Sequence, residues 1–356
     1  MDKTEKLLKR LTEASGVPGF ESEVRALIRE ELGGITKIEH DKIGSIVCRK
    51  AGVKDAPKVM LAAHMDEVGF MVKQITKDGH IRFVPLGGWW EQVMLAQRVI
   101  IKTSKGDVIG ILGAKPPHIL TPDERKKMVE KQDMYIDIGA TSREEVEGVG
   151  VRLGDPIVPV SEFMPMAPGK TYLAKAWDDR VGCALFIEAI QRLAKESHPN
   201  AVYGVGTVQE EVGLRGAKTT AHIVEPDVAI ILESDICYDI PGMKQDEPPV
   251  ALGKGPSLLL VDARMIPNTH LRDLVIEIAK ELNVPLQFSS MEGGATDGGV
   301  IHLHNDGVPT IVLAVPARHI HSHAGIIHRD DYDWLLKLLV ALVKKLDAET
   351  VRGLVA

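Results

Sequence analysis

Apolar residues recur at three- and four-residue spacing from Thr4 to about Ala14, and again from Glu21 to Leu32, with SGVPG as a break between them. That spacing predicts an opening pair of helices. KVMLAAHMDEVGF, residues 58–70, is a short apolar run that ends in acidic residues and Gly69. It reads as a buried strand delivering polar side chains at its tip. From about Gly69 to Pro165 the pattern changes to short β-like runs (FMVKQI, HIRFVPL, RVIIKT, DVIGILG, MYIDIGA) divided by glycine-rich or charged turns. Only TPDERKKMVEKQ hints at a helical turn there. From Ala176 the alternation of helix and strand resumes: VGCALFIEAIQRLAKES, HLRDLVIEIAKEL and DYDWLLKLLVALVKKLDAE have helical patterns, while AVYGVGTV, DVAIILES and TIVLAVPA read as buried strands. The predicted fold class is therefore α/β: a three-layer α/β/α domain built from residues 1–68 and 166–356, interrupted at 69–165 by a small all-β, barrel-like module.

Composition narrows the partners. With 356 residues, 44% of them hydrophobic, the chain can bury a large core and more than one compact unit. A formal net charge of -7 argues against general affinity for nucleic acid or an anionic membrane, and points to small molecules or proteins. Three scattered cysteines, Cys48, Cys183 and Cys237, outline neither a disulfide framework nor a cysteine-based zinc site. The opening MDKTEKLLKRL has no unbroken apolar centre, and no run is long enough to span a bilayer, so a cytoplasmic location is expected.

Chemistry-bearing residues gather where the α/β strands end: His64 and Asp66 in HMDE, Asp178 and Asp179 in WDDR, Glu210 and Glu211 in QEEVG, Glu233 and Asp235 in LESD, His321 in HIHSH. Ligand crevices of open α/β sheets lie at the carboxyl ends of the strands, which would bring these segments to one place. So many carboxylates at close quarters repel one another unless a cation compensates them. Imidazole mixed with carboxylate favours zinc, cobalt or manganese over calcium or magnesium. Two histidines and at least three carboxylates exceed the needs of one ion, so two divalent ions per subunit, sharing a bridging carboxylate, are expected. Residues two apart on a strand face the same way, so Asp66 is placed to accept a hydrogen bond from His64 and fix its tautomer. Acidic residues before an apolar helix often only cap it, but within this constellation Asp178 suits the bridge, with Asp179 shaping the turn or orienting neighbours. Of Glu210 and Glu211, one would ligate metal and the other move protons, once a turn brings both to one cavity. Adjacent glutamates fit poorly with a glycosidase, whose two carboxylates flank a bond about 5–9.5 Å apart. If ARHIHSH is extended, His319, His321 and His323 share a face, one of them a ligand.

AAHMDEVGF, GAKPPH, AWDDRVGC, VQEEVGLRGA, PDVAIILE followed by DIPG, GGATDGG and PARHIHS, in this order, resemble the M42 family of metallo-aminopeptidases, which includes the tetrahedral TET peptidases. The resemblance covers nearly the whole chain. It implies an α/β catalytic domain with a barrel-like dimerisation insert, and a dinuclear hydrolase that removes N-terminal residues from peptides through a metal-bridging water. By motif position it makes His64 and His321 terminal ligands, Asp178 the bridging ligand, Glu211 a ligand and Glu210 the general base, with Asp66 supporting His64. A cis peptide between Asp178 and Asp179 and dimers built into a tetrahedral dodecamer are also implied. The remaining ligand is usually aspartate; gapless counting puts Glu233 there, and Asp235 fits only with a shift. His319 stands where the family has tyrosine. Asp297 in GGATDGG is expected beside the site, on the substrate's amino group or a neighbouring loop, and His118 matches the motif with no physical role assigned. An amidohydrolase, deacylase or carboxypeptidase of the same dinuclear type is the alternative reading.

Overall fold

The computed structural model describes residues 1–167, 169–243 and 250–355. Four parallel strands form its centre, in the spatial order Ala201–Thr207, Lys58–His64, Val228–Ile236, Thr310–Arg318. These are the apolar runs of the sequence, unbroken because strands covered on both faces need apolar residues on both. Ile46–Lys50 and Lys37–His40 extend the sheet antiparallel on one side; Gly325–His328, Thr171–Ala174 and Met164–Pro165 extend it on the other. Ser257–Asp262 and Gln287–Met291 form a parallel pair joined to Thr310–Arg318.

Alternation along the strands sorts the core into two layers. Val59, Leu61 and Ala63 pack with residues of the helices Lys3–Glu13, Ser22–Leu32, Trp177–Leu193, Thr269–Glu281 and Arg329–Lys345. Met60 and Ala62 face the other way, towards Ala217, Ala221 and Val224 of Arg215–Val224 and Ile301 of Gly298–Ile301. Helices thus cover both faces of the sheet, the three-layer arrangement expected. Among the described residues no helix is long and apolar enough to cross a membrane.

The chain leaves the sheet at Gly69 and builds a closed six-stranded barrel from Gly69–Ile75, Ile81–Leu86, Arg98–Thr103, Gly106–Gly113, Tyr135–Asp137 and Pro156–Pro159. The barrel has a core of its own, including Phe70, Val72, Ile81, Val99, Ile101 and Ile157. Gly69 marks a close approach: a Cβ there would stand 2.2 Å from Val17 Cγ1 and 2.8 Å from the Ile157 carbonyl oxygen. TPDERKKMVEKQ contributes two 3-10 turns, Glu124–Lys126 and Lys131–Asp133, and a short helix follows at Arg143–Gly148.

Candidate active site

His64 is the last residue of its strand, Glu210 and Glu211 follow Thr207, Glu233 lies near the end of Val228–Ile236, and His321 comes just after Arg318. Asp178 sits in the irregular first turn of Trp177–Leu193, where its own backbone and that of Asp179 are non-helical. All six side chains line one cavity of about 740 Å³. Five separate segments meet there because the parallel strands end on the same edge.

The carboxylate of Asp178 lies between the two imidazoles. Its Oδ1 is 3.0 Å from His64 Nε2, and its Oδ2 is 3.3 Å from His321 Nε2. Glu233 stands on the His64 side, its Oε2 3.8 Å from Nε2. Glu211 stands on the other, its Oε1 3.4 Å from His321 Nε2. Each imidazole donates through Nδ1 to a backbone carbonyl, His64 to Asp66 at 3.0 Å and His321 to Gly88 at 2.7 Å. That leaves both Nε2 atoms directed at the carboxylates, the orientation a metal-binding histidine takes. Glu211 Oε1 is buried without a hydrogen-bond partner among the described residues. Ligand atoms of His64, Asp178 and Glu211, and of His64, Asp179 and Glu233, cluster closely enough to hold an ion. The donor set of imidazole and carboxylate therefore fits zinc-like divalent ions.

A family model described as M42 glutamyl aminopeptidase matches residues 44–338. The chain belongs to the M42 family of aminopeptidases. A second, short match, described as AMPT, covers residues 2–27. A lysyl aminopeptidase of Pyrococcus furiosus is 36% identical, the alignment covering 96% of each chain. A solved TET aminopeptidase from a marine sediment archaeon of the Thaumarchaeota superposes with a TM-score of 0.97 at 50% identity over 99% of both chains. The Pyrococcus horikoshii TET1 peptidase, described as able to assemble into a tetrahedron or a large octahedral shell, matches with a TM-score of 0.87 at 32% identity, covering 97% of this chain and 100% of its own.

Within this M42 chain the two aspartates of WDDR divide their work. Their connecting peptide is cis, as the resemblance implies. Asp179 is fully buried and spends both oxygens on backbone donors: Oδ1 accepts from Gly182 N at 3.0 Å and Oδ2 from His64 N at 3.2 Å. It caps the regular part of the helix, whereas Asp178 keeps its oxygens for the cavity. Gly182 makes this cap feasible, since a Cβ there would lie 2.5 Å from Asp179 Oδ2.

Asp66 acts differently from the sequence expectation. His64 Nδ1 is 3.7 Å from its carboxylate and bonds the Asp66 carbonyl oxygen instead. The carboxylate turns to two partly buried amides: Oδ1 receives Glu210 N–H at 3.0 Å and Oδ2 receives Glu211 N–H at 3.1 Å. This double contact bends QEE so that both glutamates line one cavity. Between the two candidates for the remaining ligand, the geometry favours Glu233, because Asp235 is occupied by Ser257 Oγ at 2.5 Å and Ile236 N at 2.8 Å.

The histidine alternation is corrected. His319 (φ 61°) and His321 (φ 53°) are both left-handed, so ARHIHSH is not extended and its histidines diverge. His321 enters the site; His323 is buried against Trp89, its pKa pushed down to about 4 by burial; His319 lines a neighbouring cleft. Asp297 is buried, its Oδ2 accepting from Thr207 Oγ1 at 2.5 Å, so it braces a strand end. His118 is exposed on a single turn of the barrel.

Three charged residues behind the site were not singled out from sequence. Arg180 is fully buried and donates to the carbonyls of Met65, Leu11, Ala14 and Gly16 and to Glu67 Oε1. Lys175 joins it, 2.5 Å from Glu67 Oε1. The available signal was their position, Glu67 and Arg180 lying inside HMDE and WDDR.

Electrostatics show what the cluster lacks. Burial, reinforced by Asp297 and the neighbouring glutamates, raises the Glu210 carboxyl well above its ordinary value, although the charge on His64 opposes the shift. Burial likewise lifts Glu233, with Asp179 adding to it, and lifts Glu211 to about 7. Burial would lower His321, but the Asp178 hydrogen bond and the Glu211 charge hold it up at about 10. Protons compensate a cluster that a dication would otherwise neutralise. A carboxyl whose folded-state pKa exceeds its ordinary 4.5 supports the fold only while protonated, so the metal-free protein is expected to lose stability as pH rises from about 4.5 through about 7. Melting temperatures in chelator should fall by several degrees between pH 5 and 8, and zinc should flatten that slope. A metal-free profile level across this range would contradict the assignment.

Proposed function

We propose that this chain is a dinuclear metallo-aminopeptidase that removes N-terminal residues from peptides. The observation that carries the reading is the placement of Asp178, with one oxygen towards each histidine. On one side His64, Glu233 and Asp178 Oδ1 would hold an ion; on the other, His321, Glu211 and Asp178 Oδ2 would hold a second. Zinc or cobalt suits these donors, with manganese as a third choice. Bound dications supply Lewis-acid polarisation of the scissile carbonyl and lower the pKa of water enough for attack at neutral pH.

The protein's own residues supply orientation and proton transfer. Asp66 holds the Glu210 amide, which fixes where the carboxylate points. Glu210, not needed as a ligand, takes the proton of the attacking water on its carboxylate and returns it to the departing amine. Glu292, a carboxylate on the cavity wall outside the proposed ligand set, has the charge that suits a free N-terminal ammonium.

The insert, residues 69–165, is assigned as the dimerisation domain, and residues 1–68 with 166–356 as the catalytic domain. Exposed Ile109, Ile111, Ile119 and Met128 on the insert support burial against a second copy. Assembly of such dimers into a tetrahedral dodecamer is supported by the likeness to the Pyrococcus horikoshii TET1 peptidase. Three unpaired, buried cysteines suit the reducing cytoplasm.

The test is a panel of aminoacyl p-nitroanilides with zinc, cobalt or manganese, each substrate offered free and N-acetylated. Free substrates are expected to turn over at least about 100-fold faster than their acetylated forms, since blocking removes the charged group that the site receives. Preference for acetylated substrates, or for cleavage at a free carboxyl terminus, would instead establish the deacylase or carboxypeptidase reading.

A further inference from the structure

We propose that Glu21, in the N-terminal helical pair, is a positioning residue for the turn that presents Glu210 and Glu211, a role that rests on the aminopeptidase reading. Glu21 is 3% exposed, and its Oε1 accepts N–H from Gly19 at 2.7 Å and from Gln209 at 3.1 Å. The next two amides along the chain, those of Glu210 and Glu211, go to Asp66. Three consecutive N–H groups are thus received by two carboxylates from two distant segments.

A regular strand cannot offer that arrangement, because its successive N–H groups point to opposite sides. The chain departs from strand geometry at Gln209, whose φ is 57°. A left-handed conformation at a residue other than glycine is unfavourable and persists where surrounding contacts hold it. Glu21 and Asp66 are two of those contacts, beside Arg215, which donates to the Gln209 carbonyl oxygen at 3.3 Å and to its Oε1 at 2.8 Å, and the peptide between Gln209 and Glu210 sets the direction in which the Glu210 side chain leaves the backbone.

Within the helical pair the Glu21 carboxylate receives one loop amide, that of Gly19. Glu21 occupies the residue before the Ser22–Leu32 helix, yet its side chain makes no capping hydrogen bond to that helix. Burial and the nearby Asp66 charge raise its carboxyl to about 7, while the amides of Gly19 and Gln209 oppose the shift. The support behind it is fixed: Arg180 ties the carbonyls of Leu11, Ala14 and Gly16 to that of Met65, fastening the hairpin to the HMDE segment. Glu21 connects the same hairpin to QEE, and so the N-terminal pair of helices holds two strand tips of the site in register.

Glu21→Ala, Glu21→Gln and Glu21→Asp separate this role from a general one. Glutamine presents a carbonyl oxygen at the same reach and should keep kcat within about threefold of wild type. Alanine and the shorter aspartate should lower kcat about 100-fold with KM within about twofold, the scale of a misplaced catalytic group. In the metal-free protein, hydrogen exchange at amides 209–211 should accelerate about tenfold or more in Glu21→Ala and stay protected in Glu21→Gln, with other segments unchanged. Wild-type kcat in Glu21→Ala, equal loss in the alanine and glutamine variants, or exchange that accelerates throughout the chain would overturn the proposal. An inactive wild type would refute the aminopeptidase reading alone, because the exchange measurement needs no turnover.

Discussion

Replacing Glu210 with Gln is expected to cut kcat by about 10³-fold or more while metal content stays at the wild-type level, the scale of losing a general base. The substitution is nearly isosteric. The backbone amide that Asp66 holds is untouched, so the side chain should enter the cavity as before. Glu210 makes none of the close contacts with His64 or His321 that mark Asp178, Glu211 and Glu233. An amide oxygen is too weakly basic to take a proton from water, and an amide nitrogen cannot return one usefully to the leaving amine. Elemental analysis beside steady-state kinetics decides the matter. Activity within about tenfold of wild type would remove Glu210 from its role, and loss of metal would make it a ligand instead.

Asp178→Ala should be the most damaging single change to metal binding. Both of its oxygens are committed, one to each imidazole. Removing them would take a ligand from both proposed ion sites at once; the expected loss is one of coordination, because the Asp178 charge itself adds to the repulsion on Glu211 and Glu233. The dialysed variant is expected to retain at most one ion per chain and to lose about 10³-fold or more of its activity. If two ions remain tightly bound, measured by titration against a chelator, the bridging assignment fails.

Much of the architecture was legible because its causes are local. The four parallel strands stand out as apolar runs, since both of their faces are covered, and the Arg329–Lys345 helix carries its acidic first turn and apolar stripe in plain view. The flanking strands Lys37–His40, Ile46–Lys50, Thr171–Ala174 and Gly325–His328 are four or five residues long, too short for a period to emerge. Arg215–Val224 escaped notice because it packs on small residues such as Gly216, Ala217 and Ala221 rather than on a stripe of large ones.

The site was legible as residue types and only partly as roles. Strand tips and motif order brought out His64, Asp178, Glu210, Glu211, Glu233 and His321, which the fold gathers in one cavity. What Asp66 holds depends on where a backbone N–H points, and that is set by the left-handed turn at Gln209, a position with no glycine to announce it. The same applies to His319 and His321, whose positive φ values undo the alternation of ARHIHSH. Glu21 looked like the start of a helix because its partner lies 188 residues further along.

Gly88, just past the Ile81–Leu86 barrel strand, supplies the oxygen from which His321 hangs. The inserted module therefore reaches into the candidate site. Excising residues 69–165 to obtain a minimal enzyme would strip one imidazole of the acceptor that aims it, so the smallest working unit includes the insert even when assembly is not required.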